Sequence, residues 1–286
     1  MALVYSSKIG IGDTDRINSD LSRIKCWLLD MDGTVSLGEK MIPGAERFFE
    51  ALGGSGRYIF LTNNSSHSAS HYLTRLRNMG IHAGRDEVLI STDALIRYLF
   101  GTLGEDIRVF CVGTSDFEKD LQESGITIEY NMGKEIDAVL VGFDTSLTYS
   151  KLNIACDYIR SGVPWFAANP DKVCPLEGGK VLPDCGAIIS FLKTCTDTEP
   201  VKVIGKPETA MVDMVIDKYG FDRSEIAMVG DRIYTDLAVA LNSGIMSIAV
   251  LTGEASLDEI FSSGVVPDHV FENIGDIAGF ISHETV

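Results

Sequence analysis

Two aspartates one residue apart, Asp30 and Asp32, close the apolar run Cys26-Trp27-Leu28-Leu29 and lead into Gly33-Thr34. A short, wholly apolar run reads as a strand buried in a parallel sheet, and such a strand delivers its next residue at the C-terminal edge, where open α/β sheets bind ligands. Asp30 falls at that edge, Asp32 can approach the same reacting group from another angle, and Gly33 supplies the turn between them. Carboxylates this close repel one another and favour taking up a proton unless a cation joins them. Magnesium prefers hard oxygen ligands, often one or two carboxylates plus a phosphate, so the pattern fits phosphoryl chemistry on a phosphate ester. Taken alone, the same segment also reads as an acidic turn that ends a strand and caps the next helix.

The rest of the chain decides between these readings. Short β-like runs alternate with longer helical patterns, which predicts an α/β protein with parallel strands. The spacing predicts strands over 26–29, 58–61, 201–204, 226–229 and 246–251. Four of them end in polar groups: Asp30 and Asp32, then Thr62-Asn63-Asn64, Gly205-Lys206-Pro207 and Gly230-Asp231. Parallel strands present their C-terminal ends on one rim, so these groups are expected to converge. Pro207 suits the first turn of a helix running to Tyr219 with Gly220 as its stop, and Thr235 or Asp236 starts another that Gly244 ends.

Between the second and third of these strands lies a further alternating set: strands over 107–112, 138–141 and 165–168, and helices over 116–124 and 149–161. The expected organisation is an extension over 1–24 with a short helix near 20–25, a core over 25–100 and 200–286, and an inserted domain over 101–199. The segment 169–184, rich in Pro and Gly, reads as an interface loop.

With 286 residues, 45% of them hydrophobic, the chain can bury a large core. Its net charge of −17, with no basic patch visible in the sequence, argues against nucleic-acid or anionic-membrane partners. An anionic substrate must therefore meet local Lys, Arg, backbone N–H groups and a cation that reverse the field. Six dispersed cysteines form no C-x-x-C pair and read as reduced thiols. No leader pattern and no run of eighteen apolar residues occur, so the expected location is cytoplasmic, with no membrane partner. His67 and His71, four apart, lack the glutamate of a zinc-protease signature, and Gly10-Ile11-Gly12 lacks the third glycine of a dinucleotide fingerprint.

In order, Asp30-Met31-Asp32-Gly33-Thr34, Leu61-Thr62-Asn63-Asn64, Gly205-Lys206-Pro207 and Gly230-Asp231-Arg232 with Thr235-Asp236 resemble the four motifs of the haloacid dehalogenase (HAD) superfamily of aspartate-nucleophile phosphatases. The long insertion, with Val141-Gly142-Phe143-Asp144 and Asn169-Pro170-Asp171, is similar to the type C2 cap of the NagD and 4-nitrophenyl phosphatase-like branch. The resemblance covers nearly everything from residue 25 onward and implies a three-layer Rossmann-like core with an inserted α/β cap. It also implies a Mg2+-dependent phosphatase acting on a small phosphorylated metabolite.

On that resemblance Asp30 attacks phosphorus and Asp32 serves as general acid and base. Mg2+ is held by the Asp30 carboxylate, the Asp32 backbone carbonyl and Asp231, with Asp236 behind them. The Thr62-Asn63-Asn64 segment and Lys206 bind the phosphoryl oxygens. Asp144, Asn169, Asp171 and Cys174 are the candidates for specificity in the cap, and relatives of this kind dimerise through it. Related enzymes act on 4-nitrophenyl phosphate, nucleotides, sugar phosphates, phosphoglycolate or pyridoxal phosphate. Pyridoxal phosphate phosphatases carry His where this chain has Cys174, which argues against that substrate. Phosphotransfer to an acceptor other than water, and a non-catalytic phosphometabolite sensor, are the alternative readings.

Overall fold

A computed structural model of the chain describes residues 5–6, 10–11, 14–53, 56–176 and 179–281. Contacts divide it into two units: Met1–Leu61, Leu73–Val88 and Met211–Val286 form the first, and Thr62–Tyr72 with Leu89–Ala210 the second.

The first unit is built on a sheet whose strand order is Gly10–Ile11, Tyr5–Ser6, His269–Phe271, Met246–Val250, Ile226–Gly230, Cys26–Leu29, Arg57–Thr62 and Val88–Ile90. Cys26–Leu29 lies between Ile226–Gly230 and Arg57–Thr62, parallel to both. Every residue of the Cys26–Leu29 and Ile226–Gly230 strands is buried, the pattern of parallel strands covered on both faces. Tyr5–Ser6 pairs antiparallel with His269–Phe271 and with Gly10–Ile11, so these two short strands extend the sheet. The helix expected near 20–25 runs instead over Thr14–Leu21, because Ile17 and Leu21, one turn apart, are its buried positions. Gly12 lies outside the described residues.

The second unit has a five-stranded sheet in the order Lys202–Val203, Trp165–Ala167, Ala138–Val141, Arg108–Val112 and Thr127–Ile128, all neighbours parallel. Phe110, Val139, Trp165, Leu152, Ile159 and Leu192 meet in its core. Thr114 and Thr148 accept the N–H of Phe117 and Lys151, capping helices Ser115–Glu123 and Tyr149–Arg160.

Four further expectations are corrected. The strand expected over 201–204 is the two-residue Lys202–Val203, which pairs with Trp165–Ala167 and so belongs to the second sheet. An apolar run this short does not encode which sheet it joins. The segment read as a loop contains an antiparallel hairpin, Val173–Leu176 with Lys180–Pro183, in which Pro175 faces Val181; an isolated pair has only edge strands, where proline is tolerated. The helix after Pro207 begins later, at Ala210, and the one expected from Thr235 begins earlier, as a π-helical turn Ile233–Leu237 running into Ala238–Ser243. Among the described residues no helix is long and apolar enough to cross a membrane, and all six cysteines are free.

Candidate active site

In the first unit three aspartates meet. Asp30 follows Cys26–Leu29 directly and donates its N–H to Val229 at 3.0 Å, extending the ladder by one bond. The register that pairs Leu29 with Val229 also brings the end of Ile226–Gly230, and with it Asp231, alongside. Asp236 comes from the π-helical turn, where its Oδ2 accepts the Arg232 N–H at 3.1 Å. The three carboxylates are buried and offer oxygen atoms within 4.8 Å of one another. The sequence reading set Asp236 behind the metal ligands; in the structure it stands with Asp30 and Asp231.

Glycines make this crowding possible. A Cβ on Gly33 would lie 2.3 Å from Asp231 Oδ2, one on Gly253 1.9 Å from the same atom, and one on Gly230 2.2 Å from the Asp236 Cβ. Gly33 also adopts φ 95°, a conformation that costs other residues energy. Asp231 is oriented by two donors, Thr34 Oγ1 at 3.1 Å to Oδ1 and the Glu254 N–H at 2.8 Å to Oδ2. Burial, with the Asp236 charge second, pushes the Asp231 carboxyl up to about 6. Three carboxylates withdrawn from water and aimed at one another are costly without a cation, and an all-oxygen set of this kind suits a hard divalent ion.

Asp32 stands apart from this trio. Its side chain is 40% exposed, and its two oxygens face the guanidinium of Arg75, with Nη2 2.5 Å from Oδ1 and Nη1 3.3 Å from Oδ2. Sequence reading missed Arg75: a basic residue in the amphipathic helix Ala69–Asn78 carries no sign that it turns inward. Gly253 was missed because its importance lies only in what it touches, and Thr34, read as part of the first motif, was given no partner in the sequence.

In the second unit Asn63 is the organising residue. Its Oδ1 accepts the Lys206 N–H at 2.7 Å, and its Nδ2 donates to the Lys206 carbonyl at 2.9 Å and to Asp171 Oδ1 at 3.1 Å. Its own carbonyl accepts Ser91 Oγ at 2.9 Å and the side-chain amide of Asn169. Thr62 and Asn63 do not cap a helix: the following one begins at Ala69. Thr62 Oγ1 accepts the Asn64 N–H at 3.2 Å, and Asn64 Oδ1 accepts both the N–H and the hydroxyl of Ser66. Lys206 is 2% exposed, and a Cβ on the preceding Gly205 would lie 2.7 Å from Asn63 Oδ1.

The four cap candidates separate. Asn169, fully buried, and Asp171 are bound to Asn63, so the turn they form is tied to the Thr62-Asn63-Asn64 segment. Asp144 is buried with its oxygens held by Lys151 Nζ at 2.8 Å and by Ser146, which commits its carboxylate to the fold. Cys174 is half-buried in the hairpin strand Val173–Leu176. His67 and His71 stack at 4.0 Å, with His67 Nδ1 3.6 Å from Asp116. Among the described residues the metal-capable group is Asp30, Asp231 and Asp236.

Comparisons with known proteins show the family. Residues 27–127 match the model of a haloacid dehalogenase-like hydrolase family, and residues 203–277 match a HAD-hydrolase-like model. An acid sugar phosphatase of Staphylococcus aureus is 34% identical over 257 residues, 90% of this chain and 97% of that protein. The structure of a 4-nitrophenylphosphatase from Thermotoga maritima superposes with a TM-score of 0.87 at 37% identity, covering 92% of this chain and 99% of that one. A glycerol phosphate phosphatase from Mycobacterium tuberculosis in complex with magnesium gives 0.81 at 31% identity, covering 90% and 77%. The chain belongs to the haloacid dehalogenase-like hydrolases, in their NagD-like branch, and is a phosphoric monoester hydrolase.

Proposed function

We propose that the protein is a Mg2+-dependent phosphatase that hydrolyses small phosphate monoesters through an aspartyl-phosphate on Asp30. The observation that carries this reading is the buried trio Asp30, Asp231 and Asp236, the first two placed directly after two adjacent parallel strands and the third on the π-helical turn that follows. Asp30 Oδ attacks phosphorus, the bond to the ester oxygen breaks, and Asp32 gives that oxygen its proton. Asp32 then takes a proton from the water that displaces Asp30 from phosphorus, and inorganic phosphate leaves.

Asp30, Asp231 and Asp236, with the Asp32 carbonyl, would hold the cation, which when bound offsets the charge of nucleophile and phosphate. Thr62 and the Asn63 backbone N–H donate to the transferring phosphoryl oxygens, Asn64 shapes their turn, and Lys206 neutralises charge. Support for this role of Lys206 is its depth of burial and the clamp that Asn63 places on its backbone.

Residues 101–199 act in this reading as the cap that admits the substrate. The names of the relatives favour sugar and polyol phosphates, and the half-buried Cys174 is the side chain to vary for specificity. The test is release of inorganic phosphate from sugar phosphates, glycerol phosphate, nucleoside monophosphates and 4-nitrophenyl phosphate, with magnesium and with a chelator. The reading requires magnesium-dependent release that ranks the alkyl esters. Equal release in chelator would refute the metal's part, and transfer of the phosphoryl group to an added alcohol in preference to water would point to a phosphotransferase.

A further inference from the structure

Among the described residues of the first unit, Arg75 is a buried cation to which this phosphatase scheme gives no task. Its side chain is 7% exposed, on the helix Ala69–Asn78 between the buried Tyr72 and Leu76. The guanidinium spans Asp32 with one nitrogen toward each carboxylate oxygen, 2.5 and 3.3 Å away, and the nearer nitrogen also donates to Ser36 Oγ at 2.7 Å. Ser36 is fully buried and in turn donates to the Met31 carbonyl at 3.4 Å. The Asp32 side chain is thus held from the helix side and, through Ser36, from its own loop, while part of it stays open to solvent.

A planar fork gripping both oxygens fixes the plane of a carboxylate as well as its place. A single contact would leave the two side-chain torsions of an aspartate free to turn. A residue that must hand a proton to one oxygen and later take one from water depends on that orientation, because proton transfer needs its partners within hydrogen-bond reach.

We infer that Arg75, braced by Ser36, is a positioning residue that holds Asp32 in the orientation required for both proton transfers. This rests on the reading of Asp32 as the general acid and base. Arg75 itself touches no reacting atom; it acts through Asp32. The competing role is purely structural, a half-buried ion pair that fastens the helix to the loop, and that role gives no reason for the effect to depend on the leaving group or on Asp32.

The experiment compares wild type, Arg75→Met, Arg75→Lys, Asp32→Asn and the Asp32→Asn/Arg75→Met double variant on 4-nitrophenyl phosphate and glycerol phosphate, with melting temperatures recorded for each. Arg75→Met is expected to lower kcat by about ten- to a hundredfold with KM within about threefold. The loss should be larger on glycerol phosphate, whose alkoxide needs a proton to leave, than on 4-nitrophenyl phosphate, whose phenolate does not. Arg75→Lys should fall between, since it restores the charge without the fork. The double variant should be no slower than Asp32→Asn alone.

A folded Arg75→Met with unchanged kcat, equal losses on both substrates, or losses that multiply in the double variant would overturn the inference. If Arg75→Met does not fold, Arg75→Lys carries the test by the same criteria. Full activity in Asp32→Asn would instead overturn the reading of Asp32, which separates the two failures.

Discussion

The side-chain amide of Asn63 bridges the backbone N–H and carbonyl of Lys206, a residue 143 positions away, at 2.7 and 2.9 Å. A primary amide offers one acceptor and two donors, and here the acceptor and both donor bonds are taken, the last by Asp171. Asn63→Asp keeps the size and removes the donors, setting a carboxylate against the Lys206 carbonyl and the Asp171 carboxylate. The expected cost is about 2–4 kcal/mol, read as a lowered urea midpoint, because buried partners lose their bonds and gain repulsion. Phosphate release should fall as well, since the lysine's backbone loses its clamp.

Magnesium should stabilise the metal-free protein measurably. At a hundred times the dissociation constant the gain is about 2.7 kcal/mol, seen as a raised melting temperature. Asp231→Asn should abolish that gain while leaving the metal-free protein folded, because it relieves the repulsion among buried carboxylates.

The same residue sets a pH dependence. The folded Asp231 carboxyl lies near 6 against the ordinary 3.8, so between these values the folded state holds more protons than the unfolded chain. In chelator, this group therefore adds stability as the pH falls through 6, and Asp231→Asn should lose that contribution. With magnesium present, the stabilising increment should shrink over the same window, since proton and cation compete for one carboxylate. Melting temperatures at pH 7.5, 6.5 and 5.5 for both proteins, with and without magnesium, check the sign.

His269 acts in the opposite direction. It is fully buried, and desolvation lowers its affinity for a proton below the usual 6.5, against the pull of Asp20 with its oxygen 3.3 Å away. Below pH 6.5 the unfolded chain takes up the proton first, so stability present at higher pH is lost on acidification. Wild type should lose more stability between pH 7.5 and 5.5 than His269→Gln, as measured by urea unfolding at both values.

Gly253→Ala tests the packing around the trio. The new methyl would sit 1.9 Å from Asp231 Oδ2, an oxygen fixed by the Glu254 N–H. Magnesium affinity should weaken by about tenfold or more, as for other changes beside metal ligands. Calorimetric titration measures it, and an unchanged affinity would show that Asp231 can move without consequence.

Much of this arrangement was legible in the sequence where chemistry and period coincide. The buried runs ending in Asp30, Thr62 and Gly230-Asp231 read directly, because an apolar strand that stops at a polar residue is a local signal. Strands Val88–Ile90 and His269–Phe271 were not foreseen, since three residues carry too little period to stand out. The destination of Lys202–Val203 was misjudged because pairing partners are set by tertiary contacts. The hairpin Val173–Pro183 was hidden by its prolines. Within the site, residue types with intrinsic chemistry were visible in the sequence. Those that matter through geometry, Arg75 holding Asp32 and Gly253 admitting Asp231, were not. Asp144 shows the converse: a residue with suitable chemistry that the fold uses as a partner for Lys151.

The central claim is that Asp30 is the nucleophile, and the direct measurement is phosphate release by Asp30→Asn beside wild type, on 4-nitrophenyl phosphate with saturating magnesium. The substitution keeps the shape of the side chain and removes the attacking charge, so the variant should remain folded and show turnover reduced by about a thousandfold or more. A folded Asp30→Asn that keeps turnover within about tenfold of wild type would contradict the account and assign the attack on phosphorus to another group.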